Sequence, residues 1–189
     1  MSTAIPGNEP PSAAHPAKDA LDALDAIFSR RSVRAFTPAQ VSEADLQTIL
    51  TAVQRAPSAA NRQPLHFVVV RDPDQKRRVA AAAANQHWLA QADVIFIAVG
   101  FPAQSQRWYL VDASIALQNM VIAATALGYG TCWIGAFSED AIREVVGLPP
   151  EARVVALSPI GRPAESPDAR PRKSFDQLFS FERYGQGPK

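Results

Sequence analysis

Arg30, Arg31, Ser32 and Arg34 place three guanidinium groups and a hydroxyl within five consecutive positions. Guanidinium groups crowded this closely call for an anion, and phosphate offers the multi-oxygen partner that arginine forks match best. The same residues at the end of a short amphipathic helix could equally complement its macrodipole and nothing more. A second basic cluster, Arg170, Arg172 and Lys173, lies near the other end of the chain. Folded onto the first it would bracket a phosphate from two sides; taken alone it reads as a solvated linker. Between them come two loops of small residues, 57–64 and 131–136, where backbone amides could approach a flat ligand closely.

Other chemistries lack their residues. His15, His66 and His87 are scattered, so no histidine pair at ligand spacing suggests a metal, and none is expected. The single Cys132 rules out an intramolecular disulfide and reads as a small buried apolar residue rather than a nucleophile. There is no Gly-x-Ser-x-Gly elbow and no carboxylate pair in a suitable loop. With so few acid–base groups, an enzyme built on this chain borrows its chemistry from a cofactor. The net charge of +1 over 189 residues provides no global field for nucleic acid or anionic lipid, so any basic site is local.

The elements that must position these groups follow from periodicity. Residues 1–18, rich in Pro, Ala and Ser, read as a disordered tail without the apolar core of a signal peptide. Leu21, Leu24, Ile27 and Phe28 recur at helical spacing and lead into the arginines. Ser42 and Asp45 resemble a capping box before a second helix striped with Leu46, Ile49, Leu50 and Val53. Phe67–Val70 reads as a strand covered on both faces, Asp72-Pro73 opens a third helix, and 94–99 is a second buried strand. The span from about Trp108 to Leu127 predicts a central core helix. Thr131–Gly135 reads as a short strand, Ser138 caps another helix, and Val154–Leu157 is the last strand.

This order predicts a mixed α+β layer protein of one domain, 19–163, followed by an arm, 164–189. Phe175, Leu178, Phe179 and Phe181 in that arm need a host, and a partner subunit is the simplest one. The longest clean apolar run is far short of the roughly 20 residues that cross a bilayer, so no membrane association is expected and the cytoplasm is the default location.

RRSVRAF after the first helix, APSAANRQP before the first strand, LGYGTCWIGAF after the central helix and GRP…RPRKSFDQL near the end together resemble the FMN-dependent nitroreductase family. The likeness covers residues 20–180, with the four motifs in the family's order. It implies an α+β fold, a nitroreductase-like α/β/α sandwich with a central mixed sheet, and a homodimer that exchanges its C-terminal arms and holds FMN at the interface. Residue by residue, it implies that Arg30, Arg31, Ser32 and Arg34 lie on the flavin. Arg30 and Ser32 take the phosphate and ribityl end, and Arg34 lies near the N1–O2 edge, where its charge favours the reduced ring. Pro57, Ser58 and Asn61 come from the opposite subunit. Trp133, Ile134 and Gly135 lie along the ring, with the Gly135 N–H near N5, and Arg172 closes the phosphate site with Lys173 as a helper. His87, Trp88, Trp108 and Tyr109 fall in the stretch that gates the pocket in such folds, or they pack around the central helix.

The reaction so implied is ping-pong hydride transfer through flavin N5, from NAD(P)H to nitroaromatics, quinones or related electron-poor compounds, with protons from water. The alternatives are a flavin-storage module without catalysis, or a flavoenzyme of the same superfamily acting on another substrate. Residues 79–92 carry no charge, unlike the lid with which deiodinase members grip a zwitterionic amino acid.

Overall fold

The computed structural model describes residues 20–188, so the expected tail 1–18 lies outside the described residues. Its centre is β2 (Val94–Gly100), buried along its whole length. β1 (Leu65–Val70), β4 (Arg153–Gly161) and β3 (Gly130–Thr131) complete a four-stranded sheet in the order β1-β2-β4-β3. Side chains alternate across a strand, and both faces of β2 are apolar. Val94, Phe96 and Ala98 join the core under α2 (Glu43–Gln54) and α4 (Tyr109–Ala126). Ile95, Ile97 and Val99 join the core under α3 (Pro73–Ala82) and α5 (Glu139–Val146). The result is an α/β/α sandwich; α1 (Ala23–Ser29) packs on α4, and α6 (Phe175–Leu178) in the arm buries no residue.

The helix starts obey local chemistry. Asp72 accepts from the Gln75 N–H at 2.8 Å with Pro73 in the first turn, and Ser42 accepts from the Asp45 N–H at 3.1 Å. The Ser42–Asp45 pair is nonetheless not a reciprocal box. The Asp45 carboxylate instead accepts from the Tyr129 hydroxyl at 2.6 Å, tying the start of α2 to the chain just beyond α4. Gly147 ends α5 in the left-handed region at φ 66°, where a Cβ would be strained. α4 is long and apolar enough to cross a membrane by length and composition; here Ala113, Ala116, Leu117, Met120, Val121 and Ala124 bury one face of it in the sandwich.

Several expectations are corrected. Neighbouring strands are antiparallel throughout the sheet, and among the described residues parallel pairing occurs only at the isolated Ser32–Thr131 bridge; β2 and β3 run the same way but are separated by β4, so the α4 crossover creates no parallel pair. β1 is an edge strand with only Val70 buried, so its β-branched run is not covered on both faces. Of Thr131–Gly135 only Thr131 lies in β3, and Ile134 makes a single bridge to Leu157. Leu21, Leu24, Ile27 and Phe28 do not face the core: they are 43–71% exposed, and Ala26 is the buried residue of α1. Phe175, Leu178, Phe179 and Phe181 are also exposed, with the ring of Phe175 4.5 Å from that of Phe179.

Candidate functional site

The arginine segment is not a helix end turning back on itself. α1 stops at Ser29, and Arg30 is already extended at φ −51°, ψ 130°. Residues 32–37 then run as a strand-like ribbon between β3 and the end of β4. The Val33 N–H donates to the Thr131 carbonyl at 2.9 Å, the Thr37 N–H to Arg162 at 2.9 Å, and the Ala164 N–H returns a bond to Ala35 at 2.9 Å. Val33 and Phe36 point inward and are buried, which leaves Ser32 and Arg34 on the other side. Two glycines make room for these anchors: a Cβ on Gly130 would stand 2.9 Å from Val33, and one on Gly161 would stand 2.9 Å from Phe36.

The ribbon's basic side and the start of the arm enclose a cleft of about 400 Å³. Arg30, Arg31, Ser32 and Arg34 line one wall, and Arg170 and Arg172 line the other. The two clusters, 136 residues apart from Arg34 to Arg170 (170 − 34), therefore meet. Their guanidinium groups are not equivalent. Arg31 Nη1 donates to the Phe28 and Arg30 carbonyls at 2.9 Å each, so this residue caps α1. Arg172 Nη1 rests on the Arg170 and Pro171 carbonyls at 3.0 and 3.2 Å. Among the described residues the ion pairs join Arg71, Arg77 and Arg153 to carboxylates, and none involves the arginines of this cleft. Asp168 lines the cleft without pairing. Positive charge concentrated without internal neutralisation is the arrangement an external polyanion satisfies.

Cys132 lies buried beneath this wall. Burial pushes its thiol up, and the nearby Arg34 charge and a Ser32 hydrogen bond offset this only partly. The thiol therefore stays protonated at neutral pH and serves as packing.

The small-residue loops sit elsewhere. Pro57, Ser58 and Ala59 face Trp108, Val111 and Ile115 at the start of α4, across a shallow cleft of about 220 Å³. The Ser58 hydroxyl accepts from the Gln63 N–H at 3.0 Å, and Ala60, Asn61 and Gln63 all hold φ near 51°. Three non-glycine residues in the left-handed region make this a strained loop, of the kind held at ligand sites. On the other loop, Trp133 is 38% exposed and its indole N–H donates to Gln118 at 3.0 Å. Gly135 is exposed, and among the described residues no backbone acceptor meets its N–H.

Four other residues named from sequence do not gather into one pocket. His87 is exposed on a 3₁₀ turn (His87–Gln91), while Trp88 stacks on Phe36 with ring centroids 6.5 Å apart and so supports the ribbon. Tyr109 packs against Gly100, and Trp108 alone joins Pro57 and Ser58. Lys173 lies outside the arginine cleft, lining a separate depression with Asp176 and Tyr184, because the arm turns at Ser174 into α6.

Two functional positions escaped sequence reasoning. Asp112 is 2% exposed, accepts from the Ala59 N–H at 3.1 Å through Oδ1, and among the described residues has no partner for Oδ2. Its signal was a lone carboxylate in an otherwise apolar helix. Glu165, in the arm, accepts from the backbone of Arg34 and Ala35, and nothing in its local sequence advertises a contact so distant.

The profile of the Nitroreductase family matches residues 27–94 and 80–162. A Thermus thermophilus NADH dehydrogenase is 31% identical over 181 residues, covering 77% of this chain and 88% of its own. A Bacillus subtilis FMN reductase [NAD(P)H] is 29% identical, covering 86% of this chain and 74% of its own. The crystal structure of a nitroreductase family protein from Clostridium novyi superposes with a TM-score of 0.73 at 32% identity, covering 88% of this chain and 96% of that one.

Proposed function

The chain belongs to the nitroreductase family, and from that premise we infer that it is an NAD(P)H-dependent FMN oxidoreductase that reduces nitroaromatics, quinones or related electron-poor compounds. The observation that carries this reading is the convergence of Arg30, Arg34, Arg170 and Arg172 on one cleft with no carboxylate paired to them among the described residues. A phosphate monoester carries the charge and the acceptor oxygens that this donor set lacks. FMN fits it, and when bound supplies the hydride-accepting N5 through which reducing equivalents pass from NAD(P)H to the second substrate.

In this reading the chain's own residues bind, orient and tune. Arg30 and Ser32 hold the phosphate and ribityl end, and Arg172 closes it from the arm. Arg34 keeps a fixed positive charge at the pyrimidine edge, and Trp133, Ile134 and Gly135 lie along the ring with the Gly135 N–H directed to it. Arg31 is placed in the same wall, but its hydrogen bonds to Phe28 and Arg30 make it a support for α1 rather than a phosphate ligand. Lys173 keeps only a peripheral role because it lines another depression. His87 and Trp108 are the pocket residues left open to solvent, while Trp88 and Tyr109 act through packing.

The working unit in this proposal is a homodimer. Leu110, Val111 and Ile115 on α4, Leu24 and Phe28 on α1, and the phenylalanines of the arm are exposed apolar groups on the single chain. A second copy would cover them and would bring Pro57, Ser58 and Asn61 against the partner's flavin, with the arm 164–188 wrapping across.

The test is optical. The purified protein is expected to be yellow, and NADH or NADPH is expected to bleach its flavin band in the absence of oxygen, with colour restored by a nitroaromatic or a quinone. A colourless protein that takes up no FMN would sink the reading. A yellow one that neither reductant bleaches would instead be a storage module.

A further inference from the structure

Glu165 stands four residues past the end of β4 at Gly161, where the chain leaves the sheet for the arm. Its Oε1 accepts two successive backbone N–H groups, that of Arg34 at 2.5 Å and that of Ala35 at 3.2 Å. One residue earlier, the Ala164 N–H donates to the Ala35 carbonyl at 2.9 Å. The arm is thus clipped to the ribbon at one point by three hydrogen bonds, two of them to a charged acceptor. Immediately beyond the clip, residues 167–172 form the far wall of the cleft. Between the clip and α6 no other hydrogen bond ties residues 166–173 to the rest of the chain among the described residues.

The carboxylate is also on the wrong side of the charge balance for a phosphate site. It sits in a wall of arginines, and among the described residues it pairs with none of their guanidinium groups, spending itself on backbone N–H groups instead. A negative charge retained here repels an incoming phosphate, so its place is explained by geometry.

We propose that Glu165 is a positioning residue that selects FMN over flavins lacking a phosphate, by clipping the arm to Arg34 and Ala35 so that Arg170 and Arg172 face Arg30 across the cleft. The proposal rests on the FMN reading above. It separates two contributions of one side chain: the hydrogen-bond acceptor, which aligns the late arginines, and the charge, which works against the ligand. Glu165→Ala removes both, whereas Glu165→Gln keeps an acceptor and removes the charge.

The full-length chain, stripped of flavin by dialysis, is titrated with FMN and in parallel with riboflavin, for the parent and both variants. Glu165→Ala is expected to weaken FMN binding about tenfold or more, with riboflavin affinity within about twofold of the parent. Glu165→Gln is expected to bind FMN at least as tightly as the parent. Unchanged FMN affinity in Glu165→Ala would overturn the proposal, as would an equal loss for both flavins. So would a Glu165→Gln protein as weak as Glu165→Ala, and this variant decides the matter if Glu165→Ala does not fold. A parent that binds neither flavin would overturn the FMN reading itself, before any variant is compared.

Discussion

Asp112 Oδ1 accepts the backbone N–H of Ala59 at 3.1 Å, joining the first turn of helix α4 to the strained loop 57–64. Among the described residues the bond is one of two that tie the loop to its surroundings, the other running from the Phe101 N–H to the Pro64 carbonyl at 3.0 Å, while Ser58 and Gln63 hydrogen-bond within the loop. Asp112→Ala leaves the partly buried Ala59 N–H without this acceptor, and is expected to cost about 1 kcal/mol in chemical denaturation. Asp112→Asn, which keeps a carbonyl acceptor, is expected to recover at least half of that loss. Equal stability of the alanine variant and the parent would remove the anchor role.

The unequal hydrogen bonding of neighbouring arginines gives a contrast in ligand retention. Arg30→Ala deprives the proposed phosphate site of charged bonds worth roughly 1.5–3 kcal/mol each, so FMN retention falls by about tenfold to a hundredfold. Arg31 is committed to the Phe28 and Arg30 carbonyls. Arg31→Ala should therefore lower the melting temperature slightly and change FMN affinity less than about threefold. Equilibrium dialysis against FMN, with a thermal melt of each variant, reads both.

Gly130 is one of two glycines, with Gly161, on which the ribbon's buried side chains rest directly. A methyl group there would stand 2.9 Å from both Val33 Cβ and Val33 Cγ1. Gly130→Ala must push Val33 outward, and with it Ser32 and Arg34, at a cost of about 1–3 kcal/mol. Bound FMN should fall together with stability. Gly135→Ala, whose methyl group would meet nothing within 4 Å, is the matching control and should leave the melting temperature unchanged.

Dimerisation is open to a substitution that spares the monomer's core. Leu110 is 49% exposed on α4, so Leu110→Glu costs the single chain little and places a charge in the proposed interface. Sedimentation should show a dimer for the parent and a monomer for the variant. A parent that sediments as a monomer would remove the shared-site arrangement.

Acid stability should report the Glu139–Arg153 pair. Arg153 Nε and Nη2 donate to the two Glu139 oxygens at 2.6 and 2.8 Å, and the Val154 N–H adds a bond at 3.1 Å. The hydrogen bond from Arg153, ahead of the opposing cost of burial, holds the Glu139 carboxyl below its ordinary value. A carboxyl depressed in the folded state stabilises above its unfolded pKa, about 4.3, and loses that contribution as pH falls through the folded value. Glu139→Gln should therefore be less stable than the parent at neutral pH, with the difference in denaturation curves starting to shrink as pH falls below about 4.3 and disappearing only below the depressed folded value.

The amino-acid sequence by itself determined the elements and the chemistry. Apolar periodicity set α2, α4 and β2, proline and serine caps set where α2, α3 and α5 begin, and the crowding of Arg30, Ser32 and Arg34 pointed to the segment that lines the arginine cleft. The four motifs indicated the family before any coordinate. Tertiary structure decided what depends on distant partners. It placed Arg170 and Arg172 opposite Arg30. It also turned Asp45 from half of a capping box into the acceptor of Tyr129, and sent Lys173 to another depression. Trp88 became a support for Phe36, and β1 became an edge. The physical reason is that periodicity and capping act over a few residues, whereas packing brings together Phe36 and Trp88, Asp45 and Tyr129, and the two arginine clusters, none of which are neighbours in sequence. Glu165 shows this most clearly, since a carboxylate in a proline-rich linker has no local sign of the two backbone N–H groups it holds 130 and 131 residues away.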